Sequence, residues 1–132
     1  MSKMFEFDVK TNSQTELVKI DHLVTRAIEE SGVKDGICEI FVPHTTAAVT
    51  INEGADPSVV RDFLHEINKV IPFSDNYHHL EGNSAAHIKS SLVGCSEMVI
   101  IENGRAKLGT WQSVFFCEFD GPRNRRVWIK II

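Results

Sequence analysis

The alternation of apolar and polar residues along the chain predicts most of its strands. Near the amino end Phe5, Phe7 and Val9 alternate with charged residues, which is the pattern of a strand buried on one face. A second strand over 15–20 is expected to be its partner. Further strands are expected at 37–42, 47–51, 99–101, 111–119 and 126–132, which gives about seven in all.

Apolar residues at helical spacing predict three helices between these strands. The first is expected to start at an N-cap, Asp21, and to end at Ser31-Gly32. The second begins at Asp56-Pro57, a good cap and first-turn pair, and Pro72 stops it. The third is expected over 84–93 with Asn83 as its cap.

The order of these elements indicates the fold class. Asn103-Gly104 follows an apolar strand and is the strongest short signal for a type I′ hairpin. Helices interleave with strands early and strands cluster late, which favours an α+β fold with a β-sandwich over a doubly wound parallel sheet. Because there is no repeat and no linker-like stretch, we expect residues 1–132 to form a single domain.

Composition and charge narrow the class of protein. The 132 residues are 42% hydrophobic and 24% charged, which is ordinary for a globular domain, and the net charge of −4 argues against a nucleic-acid partner. No apolar stretch approaches the length of a signal peptide core or a membrane span, so no membrane partner is expected. Cys38, Cys95 and Cys117 are expected to be buried, reduced thiols, which fits a cytoplasmic location.

Three histidines are candidates for metal ligands. His44 follows a buried strand, His79 lies in a polar loop, and His87 lies on the third predicted helix. Imidazole is the commonest ligand for zinc, and three protein ligands plus water make a catalytic zinc site. The spacing matches no metal motif, so scattered surface histidines are the alternative. His22 and His65 fall on polar helix faces and are expected to have no role.

Carboxylates near the end of the 47–51 strand are a second candidate group. Glu53 and Asp56 lie at a strand-to-helix turn, where they could supply a metal ligand, a general base or a Mg²⁺ partner. For Asp56 a helix cap is the simpler interpretation. Glu53 is therefore the candidate for a reactive carboxylate.

The remaining candidates are groups that could bind an anion or wall a pocket. Asn83-Ser84 opens a helix, whose free N–H groups and dipole favour a phosphate, although a plain cap is the commoner meaning. Trp111 and Gln112 could line a pocket, although Trp111 could instead be a core residue. Arg123, with Arg125 and Arg126, could clamp a phosphate, or could form a solvated turn or a subunit contact.

Taken together, these motifs resemble those of the YjbQ family, whose members are often labelled secondary thiamine-phosphate synthases. The motifs, which span nearly the whole chain in one order, are His44-Thr45-Thr46-Ala47, Asn52-Glu53 with Asp56-Pro57, Tyr77-x-His79, Ala86-His87-Ile88-Lys89, Gly109-Thr110-Trp111-Gln112 and Asp120-Gly121-Pro122-Arg123. The resemblance implies an α+β fold with a β-sandwich, a homotrimer, and a histidine-bound metal held by His44, His79 and His87. It also implies a site role for Glu53, with Trp111 and Gln112 nearby.

The activity implied by the resemblance fits the candidate residues only in part. Joining a pyrimidine methyl diphosphate to a thiazole phosphate expels diphosphate, which calls for Mg²⁺ on oxygen ligands, whereas imidazoles suit zinc. Three hypotheses follow. The first is a metal-dependent enzyme acting on a small phosphorylated substrate, with Glu53 and Gln112 catalytic and Asn83, Ser84, Trp111 and Arg123 binding substrate. The second is a metal-dependent hydrolase, and the third is a non-catalytic trimer that binds a metal or an anion.

Overall fold

Two antiparallel sheets face each other in the protein, for which a computed structural model describes residues 3–132. The five-stranded sheet has the order β1-β8-β3-β5-β6 and the three-stranded sheet the order β2-β7-β4. The described elements, in chain order, are β1 (Lys3–Lys10), β2 (Glu16–Lys19), α1 (Asp21–Ser31), β3 (Gly36–Phe41), β4 (Ala47–Glu53), α2 (Pro57–Val70), α3 (Ser84–Val93), β5 (Ser96–Glu102), β6 (Arg105–Lys107), β7 (Gln112–Glu118) and β8 (Asn124–Ile131).

The main core lies between the two sheets and under α1. Inward residues of the strands, such as Cys38, Ile40 and Ile129, are fully buried there, together with Val24 and Ile28 of α1. A smaller apolar cluster lies on the other side of the three-stranded sheet and contains residues of α2 and α3. The outer face of the five-stranded sheet carries exposed apolar side chains: Met4, Ile37, Phe41, Met98 and Ile100. The α+β class and the two-sheet arrangement are therefore confirmed.

Several local predictions are also confirmed. Gly32 ends α1 with a left-handed φ of 73°, a conformation that costs glycine little because it lacks a Cβ. Asn103 and Gly104 have φ values of 55° and 74° and join β5 to β6, as a type I′ turn requires. The Asp56 side chain accepts a hydrogen bond from the Ser58 N–H at 2.9 Å and caps α2.

Other predictions were wrong in detail. The strand at 16–19 does not pair with β1, because β1 pairs with β8 and β2 pairs with β7 in the other sheet. The count of about seven strands is confirmed to within one, since residues 3–132 contain eight and the short hairpin strand β6 is the additional one. Asp21 is the first residue of α1 and accepts the Val114 N–H at 2.9 Å instead of capping the helix. Asn83 occupies the cap position of α3 without a capping side-chain bond.

Candidate functional site

His44 lies in the loop between β3 and β4 and is held by the start of β8. The backbone N–H of Arg126 donates to His44 Nε2 at 2.9 Å. An imidazole nitrogen that accepts a hydrogen bond carries no proton, so the neutral ring has its proton on Nδ1. As placed, His44 is therefore a hydrogen-bond donor through Nδ1, and its Nε2 is not available to a metal.

A buried ion pair lies close to this loop. Glu118, at the end of β7, is fully buried and pairs with Arg125 of β8, whose side chain is also buried. Arg125 Nη2 donates further to the backbone oxygen and the hydroxyl of Thr46, at 3.2 and 2.9 Å. Glu118 also accepts from the Thr11 hydroxyl at 2.7 Å and from the Asp120 N–H at 3.0 Å. This network fixes the position of the His44-Thr46 turn relative to β7 and β8.

The surroundings of His44 favour the neutral ring. Burial lowers the pKa of His44 below its usual value of 6.5, and the positive charge of Arg125 lowers it further. The negative charge of Glu118 acts in the opposite direction but does not cancel these effects. At neutral pH the ring is therefore an uncharged donor with one fixed tautomer.

His87 connects two adjoining pockets on the surface. On one side it shares with His44 a pocket of about 360 Å³, and on the other it shares with His79 a pocket of about 440 Å³. The rings of His79 and His87 are edge-on, with centroids 5.3 Å apart and planes at 85°. His78 also lines the second pocket. The fold thus brings the three candidate histidines to one region, in two neighbouring pairs around His87.

These histidines do not form a complete metal shell within residues 3–132. No group of three or more His, Cys, Asp or Glu side chains in that part of the chain is arranged to hold a metal ion. The pair His79 and His87 nevertheless has suitable spacing. With Zn–N bonds of about 2.0 Å and a tetrahedral angle, the centroids of two rings on one ion lie about 5 Å apart. The observed 5.3 Å is compatible with this separation, and it is also the ordinary spacing of two aromatic rings packed edge to face.

Two of the predicted phosphate-binding residues, Asn83 and Arg123, both bind the side chain of Asp120. Asn83 Nδ2 and Arg123 Nη2 both donate to Asp120 Oδ2, at 2.9 and 2.8 Å. Arg123 Nε also donates to the Asp120 backbone oxygen at 2.7 Å. The guanidinium charge is therefore balanced by Asp120, which weakens its attraction for a phosphate. Ser84, at the start of α3, lines the pocket that contains His79 and His87.

Glu53, Trp111 and Gln112 lie at the opposite end of the three-stranded sheet. Glu53 pairs with Gln112 at one end of β4 and β7, and Ala47 pairs with Glu118 at the other. Six strand residues at about 3.3 Å each separate the two ends by roughly 20 Å. Within one chain, Glu53 cannot act on a substrate held at His44 and His87.

Glu53 and Gln112 also have local structural partners. Glu53 Oε2 accepts the N–H groups of Ala55 and Asp56 at 2.8 and 3.3 Å, so it stabilises the turn before α2. Gln112 Oε1 accepts the Gly109 N–H at 2.8 Å. Trp111 is 64% exposed and is not part of the core. Asp56 alone caps α2, and Glu53 holds the turn that precedes the helix.

Sequence reasoning missed Glu118 and Ser90 at this site. Glu118 ends a run of apolar strand residues, and a carboxylate in such a run signals a buried pair because charged groups are seldom buried alone. Ser90 lies on the buried side of α3 and lines the pocket between His44 and His87. No pattern in the sequence distinguishes it from an exposed helical serine.

Two facing antiparallel sheets, with imidazole-lined pockets where α3 meets the start of β4, define an α+β sandwich protein with a polar surface site. The chain belongs to the UPF0047 protein YjbQ-like family, whose model matches residues 5–132. No helix within residues 3–132 is long and apolar enough to cross a membrane.

Relatives and solved structures agree with this membership. A UPF0047 protein of Methanocaldococcus jannaschii is 57% identical over 129 residues, covering 98% of this chain and 94% of the relative. The UPF0047 protein YugU of Bacillus subtilis is 49% identical, covering 94% of this chain and 95% of YugU. One solved crystal structure is that of an uncharacterised YjbQ/UPF0047 family protein from Clostridium acetobutylicum, which is 55% identical in sequence. It superimposes with a TM-score of 0.96 and covers 97% of this chain and 99% of that one. A YbjQ-like protein of unknown function from Sulfolobus solfataricus gives 0.95 at 34% identity, with 99% and 96% covered.

Proposed function

We propose that the protein is a metal-dependent enzyme that acts on a small phosphorylated substrate, with a divalent ion, preferentially zinc, at His79 and His87. The observation that carries this proposal is the 5.3 Å separation of the two rings, which suits two imidazoles on one ion. Such an ion would supply Lewis-acid stabilisation or an activated water at the mouth of the two pockets. His44 is assigned a separate task, since its Nε2 is already bonded to Arg126.

His44 is suited to bind a substrate oxygen. Its fixed tautomer offers an N–H from Nδ1, and a neutral donor in a partly buried site can stabilise negative charge that develops on an oxygen atom. Mg²⁺ in place of zinc is less well matched, because it prefers oxygen ligands and the site offers imidazoles. Among reactions of this class, the family resemblance points to thiamine-phosphate synthesis as a secondary activity.

Metal analysis of histidine variants tests the metal site. We expect the purified protein to bind zinc after dialysis, and His87→Ala and His79→Ala each to lose stoichiometric metal with an unchanged circular dichroism spectrum. His65→Ala, on the exposed face of α2, is the matched control and should keep its metal. Unchanged metal content in His87→Ala would contradict the proposal.

A product assay separates transfer from hydrolysis. Diphosphate release that requires the thiazole phosphate supports the synthase, whereas release from the diphosphate substrate alone supports a metal-dependent hydrolase. Full metal occupancy without turnover on a broad panel of phosphate esters and amides would support the non-catalytic alternative.

We further propose that the protein works as a homotrimer. The exposed apolar residues on the outer face of the five-stranded sheet are suited to contact between copies. Glu53 and Gln112 lie roughly 20 Å along β4 from the imidazole pockets, so they take part in catalysis only if another copy brings them there. In that case Glu53→Gln lowers turnover at least about 100-fold, as loss of a general base does, and leaves metal bound.

A cytoplasmic location is part of the same proposal. The three cysteines are all free; Cys38 and Cys117 are buried as predicted, whereas the prediction was wrong for Cys95, which is exposed. Free thiols are typical of a reducing compartment.

A further inference from the structure

The pocket between His44 and His87 has a wall of hydroxyl groups that the metal proposal does not use. We call it the hydroxyl pocket. It lies between α3 on one side and, on the other, the start of β4 with the loop that precedes this strand. Its volume is about 360 Å³. The polar residues that line it are His44, Thr45, His87, Ser90, Ser91 and Cys95.

Ser90 has a buried hydroxyl that lacks a protein partner. The residue is 7% exposed, and within residues 3–132 its Oγ makes no hydrogen bond. Burying a hydroxyl without a hydrogen bond costs free energy, so such groups are rare and call for an explanation. The neighbouring Ser91 differs, because its hydroxyl donates to the His87 backbone oxygen at 3.0 Å. Because Ser90 lines the pocket, a ligand bound there is the partner that would satisfy this hydroxyl.

The chemistry of the pocket favours an anion. Its described lining contains hydroxyl and imidazole groups and no carboxylate, so it offers hydrogen-bond donors and nothing that would neutralise a cation. His44 contributes an Nδ1–H donor because its Nε2 accepts from Arg126. The guanidinium of Arg125, bonded to Thr46 beside the pocket, adds positive potential, although Glu118 balances part of it.

We propose that the hydroxyl pocket binds the phosphate group of a phosphomonoester, with Ser90 Oγ and His44 Nδ1 donating hydrogen bonds to the phosphate oxygens. This inference rests on the proposed function for the nature of the substrate, and it places the substrate phosphate beside His87 instead of at Asn83 and Arg123. Those two residues already bind Asp120.

Cys95 provides a reporter for occupancy of the pocket. Its thiol is exposed and lines the pocket, whereas Cys38 and Cys117 are buried and burial raises the pKa of each to about 12. N-ethylmaleimide should therefore modify Cys95 alone in the folded protein. In metal-free protein kept in a chelator, we expect inorganic phosphate to slow this reaction at least about fivefold and saturably, compared with sodium chloride at equal ionic strength.

Two serine variants make the test specific. Ser90→Ala should raise the half-protecting phosphate concentration at least about tenfold, because it removes a hydrogen bond to a charged group. It should not lower the urea midpoint, since no hydrogen bond within the protein is lost. Ser31→Ala is the matched control: that buried hydroxyl donates to the Ile28 oxygen and accepts the Val33 N–H. This variant should lower the urea midpoint and leave phosphate protection unchanged.

Two results would overturn the inference: equal alkylation rates in phosphate and chloride, or unchanged phosphate protection in Ser90→Ala. Cys95→Ser, which should abolish the fast reaction, confirms which thiol is measured. Because the assay excludes metal, its failure is distinct from failure of the zinc experiment. Zinc loss in His87→Ala together with absent phosphate protection would leave the metal site standing and remove only the phosphate pocket.

Discussion

At the scale of single residues, the buried pair of Glu118 and Arg125 is the clearest link between stability and the site. Burial alone would raise the pKa of Glu118, but hydrogen bonds from Arg125, Thr11 and the Asp120 N–H, with the charge of Arg125, bring it below its usual value of 4.5. The carboxylate is therefore ionised at neutral pH. Its partner Arg125 holds Thr46, two residues after His44, so the pair also shapes the hydroxyl pocket.

Replacing Glu118 by Gln should destabilise the protein by about 3–5 kcal/mol, because it leaves the buried Arg125 guanidinium without a counter-charge. Urea unfolding at pH 7 measures the change. The control is Glu102→Gln, which breaks an exposed pair with Lys107 and should cost no more than about 1 kcal/mol. A cost for Glu118→Gln as small as that of the control would show that the pair is not needed for stability.

The pH dependence of unfolding gives a second measure of the same pair. A carboxyl whose pKa is lower in the folded than in the unfolded state stabilises the fold at pH values above the unfolded pKa. This stabilisation is lost as the pH falls below 4.5 and through the folded-state pKa of Glu118. Glu118→Gln should show a shallower loss of stability in this acid range, and an unchanged acid profile would assign the effect to other groups.

At the scale of elements, helix α2 differs from the two other helices. It has no fully buried residue, although its apolar side chains Phe63 and Ile67 pack on the smaller cluster. In contrast, α3 buries Ala85, Ala86, Lys89 and Ser90. A helix with little buried surface depends strongly on its own caps, and it opens more readily than the sheets.

Loss of the α2 cap should therefore loosen the first turn of this helix. Asp56→Ala removes the acceptor of the Ser58 N–H, and we expect hydrogen exchange in that turn to become about fivefold faster. Asp62→Ala, an exposed substitution later in the same helix, should leave the exchange of the first turn unchanged. Equal exchange in Asp56→Ala and the wild type would mean that the Asp56 cap is not needed to hold the first turn.

At the scale of the whole molecule, nothing within residues 3–132 covers the outer face of the five-stranded sheet. Phe41 stacks on Trp128 with ring centroids 5.7 Å apart, and the Trp128 indole N–H donates to Glu6 at 2.8 Å. Met98 and Ile100 on β5 extend this apolar surface and are more than half exposed. Helices α2 and α3 cover the outer side of the other sheet, so the two faces of the molecule are unequal.

A charged substitution on this face tests the proposed trimer. Met98→Glu should shift the protein from trimer to monomer in analytical ultracentrifugation, because the carboxylate would have to be desolvated in the contact. Glu66→Lys, a charge change at an exposed position of α2 on the other side of the molecule, should leave the trimer intact. A monomeric wild type would reject the homotrimer and, with it, catalytic roles for Glu53 and Gln112.

The sequence by itself determined most of the elements and their class. The period-two pattern at Phe5, Phe7 and Val9, the Asp56-Pro57 start of α2 and the Asn103-Gly104 turn are local signals, and the structure confirms each of them. They succeeded because strand alternation, helix capping and turn conformation depend on neighbouring residues. The histidine motifs predicted that His44, His79 and His87 lie in one region, and these residues line two adjoining pockets.

Only the tertiary structure decided which strand pairs with which, what each polar group contacts, and which candidates share a site. β2 could pair with β1 or β7 by pattern alone, because apolar alternation specifies a face and not a partner. His44 Nε2 accepts from Arg126, 82 positions away, and Glu118 accepts from Thr11, 107 positions away. The separation of Glu53 from the imidazoles follows from the extended shape of β4, which spaces its two ends by roughly 20 Å.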